Sequence, residues 1–124
     1  MELKIQHFFD ASHQLPDSEH LITKACARMH GHTYKVIVLL EGDNDKGGMV
    51  VDFKAVKNAI DILDHEHIND IFEEEDFNKE ATAENIAEFI YEQLTAIPEV
   101  QIKEVAVCEG YKGEERSSYA IYRP

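Results

Sequence analysis

Two hydrophobic periods divide this 124-residue chain, and their order restricts the fold more than any other feature. At the start, Leu3, Ile5, His7, Phe9, Ala11 and His13 occupy odd positions, with Lys4, Gln6, Asp10 and Ser12 between them and Phe8 as an exception. A period of two predicts a strand with one buried face. Residues 30–40 are β-branched and apolar and predict a second strand, and residues 41–48, rich in Gly, Asn and Asp, predict a turn. Residues 49–53 read as a short strand running into a helix. The period then changes: Phe53, Val56, Ile60 and Leu63 recur at helical spacing up to residues 64–67. A second helix opens after Thr82, a suitable N-cap, with Glu84 in its first turn. Ile86, Phe89, Ile90, Leu94 and Ile97 form its stripe, and Pro98 stops it. Strands return at 102–109 and 118–123 around a turn with Gly110, Lys112 and Gly113.

Hairpins at both ends and helices between them specify an α+β domain over residues 1–124: an antiparallel four-stranded sheet with two helices on one face. Such a sheet keeps an open face and two edges. Edges of this kind invite pairing with copies of the same chain, so a closed homo-oligomer is expected.

Composition excludes several classes. Twelve basic residues against 25 acidic ones give a net charge of −13, which repels phosphate backbones and excludes general nucleic-acid binding. No run of about 18 apolar residues exists to form a membrane span. The N-terminal residues alternate and carry charge, without a signal peptide's apolar stretch, so a cytoplasmic location is expected. The two cysteines, Cys26 and Cys108, do not make a disulfide framework. The acidic run of residues 73–76 reads as a solvated loop or helix end.

Seven histidines are many for this length. His30 and His32, two apart on a strand, point to one face, and His13 closes the apolar face of the first strand. If those strands pair antiparallel, three imidazoles converge. Three neutral imidazoles suit Zn²⁺ and leave a fourth position for water or substrate. Cys26, four residues before His30, reads either as a small buried hydrophobe, as a fourth metal ligand, or as a thiolate acting near the cation. Cys108 reads as a core residue. Asp64 and His65 are either a polar helix end or a proton-transfer pair. Glu109 ends an apolar strand face, where it caps the hairpin or offers a bidentate acceptor to an amino-pyrimidine ring.

Five segments occur in an order that resembles one family: Phe9-Asp10-Ala11-Ser12-His13, Cys26-Ala27-Arg28-Met29-His30-Gly31-His32, Gly48-Met49-Val50-Val51-Asp52-Phe53, Leu63-Asp64-His65-Glu66-His67-Ile68-Asn69 and Thr82-Ala83-Glu84-Asn85. Together they resemble the 6-pyruvoyltetrahydropterin synthase / 6-carboxytetrahydropterin synthase family. The resemblance implies the tunnelling fold, in which β-β-α-α-β-β subunits form trimeric barrels that stack into a homohexamer with active sites between subunits. It implies zinc ligands at His13, His30 and His32, and a catalytic Cys26 joined by Asp64 and His65 of a neighbouring subunit. It also implies pterin anchoring by Glu109 and a 7,8-dihydroneopterin triphosphate substrate. Arg28, Lys24 and Lys112 are candidates for the triphosphate, Arg28 first among them.

The short chain is similar to the bacterial carboxy-forming branch, which releases acetaldehyde and serves 7-deazapurine (queuosine) biosynthesis. The pyruvoyl-forming reaction is the alternative, and a non-catalytic pterin-binding or structural paralogue is a third reading. The third is motivated by departures from the family pattern at Gln14, Ala81 and Gly110; the intact Cys26, Asp64 and His65 argue against it. His7, His20 and His67 receive no role.

Overall fold

A computed structural model describes residues 1–44 and 47–124. Its elements are β1 (Glu2–His13), β2 (His30–Gly42), α1 (Phe53–Ile60), α2 (Ile68–Glu74), α3 (Ala83–Leu94), β3 (Val100–Glu109) and β4 (Ala120–Tyr122). Short 3-10 turns lie at Lys24–Ala27, Asp61–Leu63 and Glu114–Arg116. Asp45 and Lys46, part of the expected turn, lie outside the described residues.

Among the described residues the sheet has four strands in the order β1-β2-β3-β4, each neighbouring pair antiparallel. The alternation of β1 decides its orientation: Ile5, Phe9, Ala11 and His13 are buried beneath the helices, while Lys4, Gln6, Phe8 and Asp10 face outward. On β2 the same face carries Tyr34, Val36, Val38 and Leu40, all fully buried. The helices close this face with Val56, Ile60, Phe72, Ile86, Phe89, Ile90 and Leu94. Phe72, Phe77 and Phe89 form an aromatic cluster with ring centroids 4.7–5.3 Å apart.

Two helices were expected; α2 is a further one. Ile68, Ile71 and Phe72 have helical spacing, but seven residues are too few for periodicity to separate a helix from a loop. The acidic run closes α2 and is exposed, as expected for a helix end. Thr82 caps α3, its Oγ1 accepting from Asn85 N at 3.2 Å. Asp52 caps α1 in the same way through Lys54 N, at 2.9 Å.

Three expectations are corrected. Residues 49–53 form no strand: Val50 turns into the core across the end of β2, so close that a Cβ on Gly42 would stand 2.9 Å from Val50 Cγ1. Phe53, expected on the buried stripe, is 53% exposed. It opens α1 and lines a shallow hollow with Met1, Leu3 and Met49 instead of reaching the layer of Val56 and Ile60. The last strand is shorter than the expected 118–123. The preceding residues are held over the sheet's outer face, where the buried Lys35 ammonium pairs with Glu114 and stands 4.8 Å from the Tyr111 ring centroid. Tyr119 donates its hydroxyl to the same carboxylate at 2.9 Å.

Candidate metal centre

The register of β1 on β2 sets His13 opposite His30 and Ala11 opposite His32. Because β2 alternates, His30 and His32 share the face of His13. One nitrogen from each ring lies within 4.8 Å of the others, and the ring centroids are 4.5–5.1 Å apart. The sequence expectation of three converging imidazoles therefore matches the geometry.

The hydrogen bonds reveal what these rings present. His13 Nδ1 lies 2.7 Å from the Ala81 carbonyl, and His30 Nδ1 lies 2.6 Å from the Arg28 carbonyl. A carbonyl only accepts, so each neutral ring carries its proton on Nδ1 and a lone pair on Nε2. The two Nε2 atoms stand 2.9 Å apart. Two lone pairs at that separation repel each other unless a cation lies between them. His32 Nε2 is buried without a hydrogen-bond partner among the described residues, and burial holds its pKa below the usual histidine value. Three converging imidazole nitrogens, two of them with lone pairs turned inward by their carbonyl partners and the third buried without a partner among the described residues, are the donor set of a divalent metal such as zinc, and the cluster can hold a metal ion.

Glu109 closes the site from β3, where it pairs with Tyr34. Its Oε1 is 3.3 Å from His13 Nε2 and its Oε2 is 3.8 Å from His32 Nε2. The carboxylate thus borders the cluster and is only partly exposed. Gly110, which follows, has φ +71° and lets the chain turn away within 3.4 Å of His32 Nδ1, measured to a Cβ placed there.

Cys26 sits half-buried on the Lys24–Ala27 turn, and its carbonyl accepts from Leu15 N at 3.0 Å, two residues beyond His13. That bond ties the cysteine turn to the end of β1. Arg28 contributes its carbonyl to His30 while its side chain remains exposed. Lys24 is engaged by Asp17 at 2.7 Å, whereas Lys112 is exposed and its charge reaches His32. Cys108 is buried, as expected.

Asp64 and His65 stand differently. Asp64 Oδ1 accepts from Asp10 N at 3.0 Å, and Oδ2 lies 2.8 Å from His65 Nδ1. The Asp10 amide, first of all, holds the Asp64 carboxyl below its usual pKa, and Asp64 raises that of His65. His65 adopts φ +60°, an uncommon conformation for a residue with a side chain, and its side chain is 79% exposed. His65 directly follows Asp64, the C-cap of the Asp61–Leu63 turn, where a left-handed residue commonly ends a helix. The ring is displayed outward, and with Asp10, Ser12, His32, Thr33 and His67 it lines an open depression of about 550 Å³. Three contributors carried no signal that was read from sequence: Asp10, whose amide holds Asp64; the Ala81 carbonyl, a backbone group; and Tyr34, whose ring lies edge-on to His32 with centroids 5.7 Å apart. The last lies two residues beyond His32 on the same face, so the strand period could have revealed it.

The model of the family described as 6-pyruvoyl tetrahydropterin synthase matches residues 2–124. The 6-carboxy-5,6,7,8-tetrahydropterin synthase of Bacillus subtilis (strain 168) is 31% identical over 130 residues, covering 99% of this chain and 85% of that protein. The dihydroneopterin monophosphate aldolase of Pyrococcus furiosus is 33% identical over 108 residues, covering 82% of this chain and 83% of that protein. The structure of Caenorhabditis elegans 6-pyruvoyl tetrahydropterin synthase superposes with a TM-score of 0.67 at 22% identity, over all of this chain and 95% of the other, which establishes a shared fold. Matched almost end to end, and carrying the imidazole cluster in the shared fold, the chain belongs to the 6-pyruvoyl tetrahydropterin synthase family of enzymes.

Proposed function

We propose that the protein is a zinc-dependent lyase that converts 7,8-dihydroneopterin triphosphate to 6-carboxytetrahydropterin, releasing acetaldehyde and triphosphate. The observation that carries this reading is the set of three converging imidazole nitrogens, close to the strand end that is tied to the turn bearing Cys26. The relatives named for 6-carboxytetrahydropterin synthesis support the choice of product.

His13, His30 and His32 hold the metal, which supplies Lewis-acid polarisation of the substrate's side-chain hydroxyls. Glu109 receives the N–H donors of the pterin ring. Cys26 removes the proton from a hydroxyl-bearing carbon of the side chain, and His65, whose protonated form Asp64 favours, returns protons during the tautomeric steps. Triphosphate leaves with its bridging oxygen. The side chain is then cut: its first carbon stays on the ring as a carboxylate, with water providing the second oxygen, and the remaining two carbons depart as acetaldehyde. Arg28, exposed at the edge of the site, faces the phosphates.

The display of Asp64 and His65 away from their own core supports their use by a neighbouring copy. The residue 64–69 segment covers the outer edge of β1 from Asp10 onward, through His65 N to Asp10 O and Ser12 N to Glu66 O. The first half of β1 has no strand on its outer side among the described residues, nor has β4. Pairing of β1 in one copy with β4 in the next removes both edges and closes a barrel. A trimer of this kind, doubled to a hexamer, is the assembly proposed for this enzyme, in the cytoplasm.

Incubating the zinc-loaded protein with 7,8-dihydroneopterin triphosphate and assaying acetaldehyde tests the reaction. Stoichiometric acetaldehyde and triphosphate are expected. A pyruvoyl product without acetaldehyde, or turnover of the monophosphate ester alone, would overturn the assignment.

A further inference from the structure

Of the three imidazoles, His13 is the most deeply buried, with no exposed surface, and its Nδ1 contact lies 68 residues away in sequence, at Ala81. Ala81 is itself fully buried in the linker between α2 and α3. An alanine carbonyl aims where its peptide planes are held, so neighbouring residues must hold it. On one side, the Glu80 carbonyl accepts two donors at 2.9 Å each: Thr82 N, and the side-chain Nδ2 of Asn85. On the other side, Thr82 is locked as the cap of α3 by Asn85 N at 3.2 Å and through its own carbonyl, which accepts from Ile86 N at 2.8 Å. The Ala81 carbonyl lies between these two anchored peptides. Asn85 takes part in both anchors, its amide in one and its carboxamide in the other.

We propose that Asn85 is a positioning residue for the metal centre. Its carboxamide holds the Glu80 carbonyl, which orients the Ala81 carbonyl, which in turn fixes the tautomer and ring plane of His13. The proposal rests on the reading of His13 as a metal ligand. Groups behind a ligating histidine ordinarily tune metal affinity by roughly 10–100-fold.

Asn85 is the third residue of α3, so a helix-forming role must be separated from the clamp. Asn85→Asp does this. An aspartate there suits the positive end of the helix dipole and preserves the helix, yet it lacks the N–H donor for Glu80. Full-length wild type, Asn85→Asp, Asn85→Ala and His13→Ala are stripped of metal. Zn²⁺ affinity is then measured by chelator competition, and thermal unfolding with and without Zn²⁺. The expected result is about a 10-fold or greater weakening of Zn²⁺ binding in both Asn85 variants, with the metal-free melting temperature of Asn85→Asp close to wild type and its zinc-induced rise reduced. Wild-type affinity in Asn85→Asp would overturn the proposal, and so would loss of metal-free stability with an unchanged zinc-induced rise. Failure of the wild type itself to bind Zn²⁺ would instead overturn the metal-centre reading beneath it.

Discussion

His13 Nε2 and His30 Nε2 stand 2.9 Å apart, each on a ring whose other nitrogen faces a backbone carbonyl. Neither atom of that pair has a proton to share when the rings are neutral, so their closeness is unfavourable without a cation. His30→Ala should therefore abolish metal binding and turnover together. It should also remove the metal-dependent gain in stability, which for a ligand at 100 times its Kd is about 2.7 kcal/mol. Elemental analysis and thermal unfolding with and without Zn²⁺ check this; a variant that still binds one metal per chain contradicts the centre described.

Cys26 lies on a turn joined to Leu15, and sequence left open whether it ligates metal or acts on substrate. Cys26→Ala should retain the metal and lose at least about 100-fold in turnover, the lower range for loss of a general acid–base group. Loss of metal together with activity would make the sulfur a ligand.

The Asp64–His65 pair gives a pH signature. His65 has its pKa raised, first by the hydrogen bond to Asp64, and Asp64 has its own lowered, first by the Asp10 amide. The raised imidazole contributes stability that is complete below the ordinary histidine value and disappears as pH rises through its folded value. The lowered carboxyl contributes above the ordinary aspartate value and loses its contribution as pH falls through its folded value. Their pairing thus spans the mildly acidic to neutral range. In a ring-proton NMR titration, His65 should titrate above the ordinary histidine midpoint of about 6.5, and Asp64→Asn should return it toward that value. An unchanged midpoint in the variant would refute the coupling.

Gly110 turns the chain after Glu109 with φ +71°. Gly110→Ala places a side chain in the left-handed region and should destabilise the fold by roughly 1–2 kcal/mol. Its Cβ would stand 3.4 Å from His32 Nδ1, an ordinary contact, so the cost should fall on stability while metal affinity stays close to wild type. Denaturant unfolding and zinc competition report the two quantities; unchanged stability would show that the loop relaxes freely.

Much of this molecule is written in its local periods. The alternation from Leu3 to His13 was enough to place His13 on the buried face. The one-residue spacing of His30 and His32 was enough to place both rings together, because side chains on a strand alternate regardless of what it pairs with. The stripes of α1 and α3, the Thr82 cap and the exposed acidic run follow from the same local rules. Phe53 and residues 49–53 did not obey them, since a helix's first residue and a chain crossing a strand end are governed by what lies beyond the element.

What tertiary structure alone decided is every relation across distance. The pairing of His13 with His30 is a register, and local pattern specifies the face of a strand without specifying its partner's offset. The outward, left-handed His65 depends on the Asp10 carbonyl receiving its amide at 2.6 Å from the β1 edge. The tautomers of His13 and His30 depend on carbonyls of Ala81 and Arg28, backbone groups that any residue type carries and that no sequence pattern reveals. Side-chain chemistry named the candidate ligands; the folded backbone determined which way the lone pairs of His13 and His30 point.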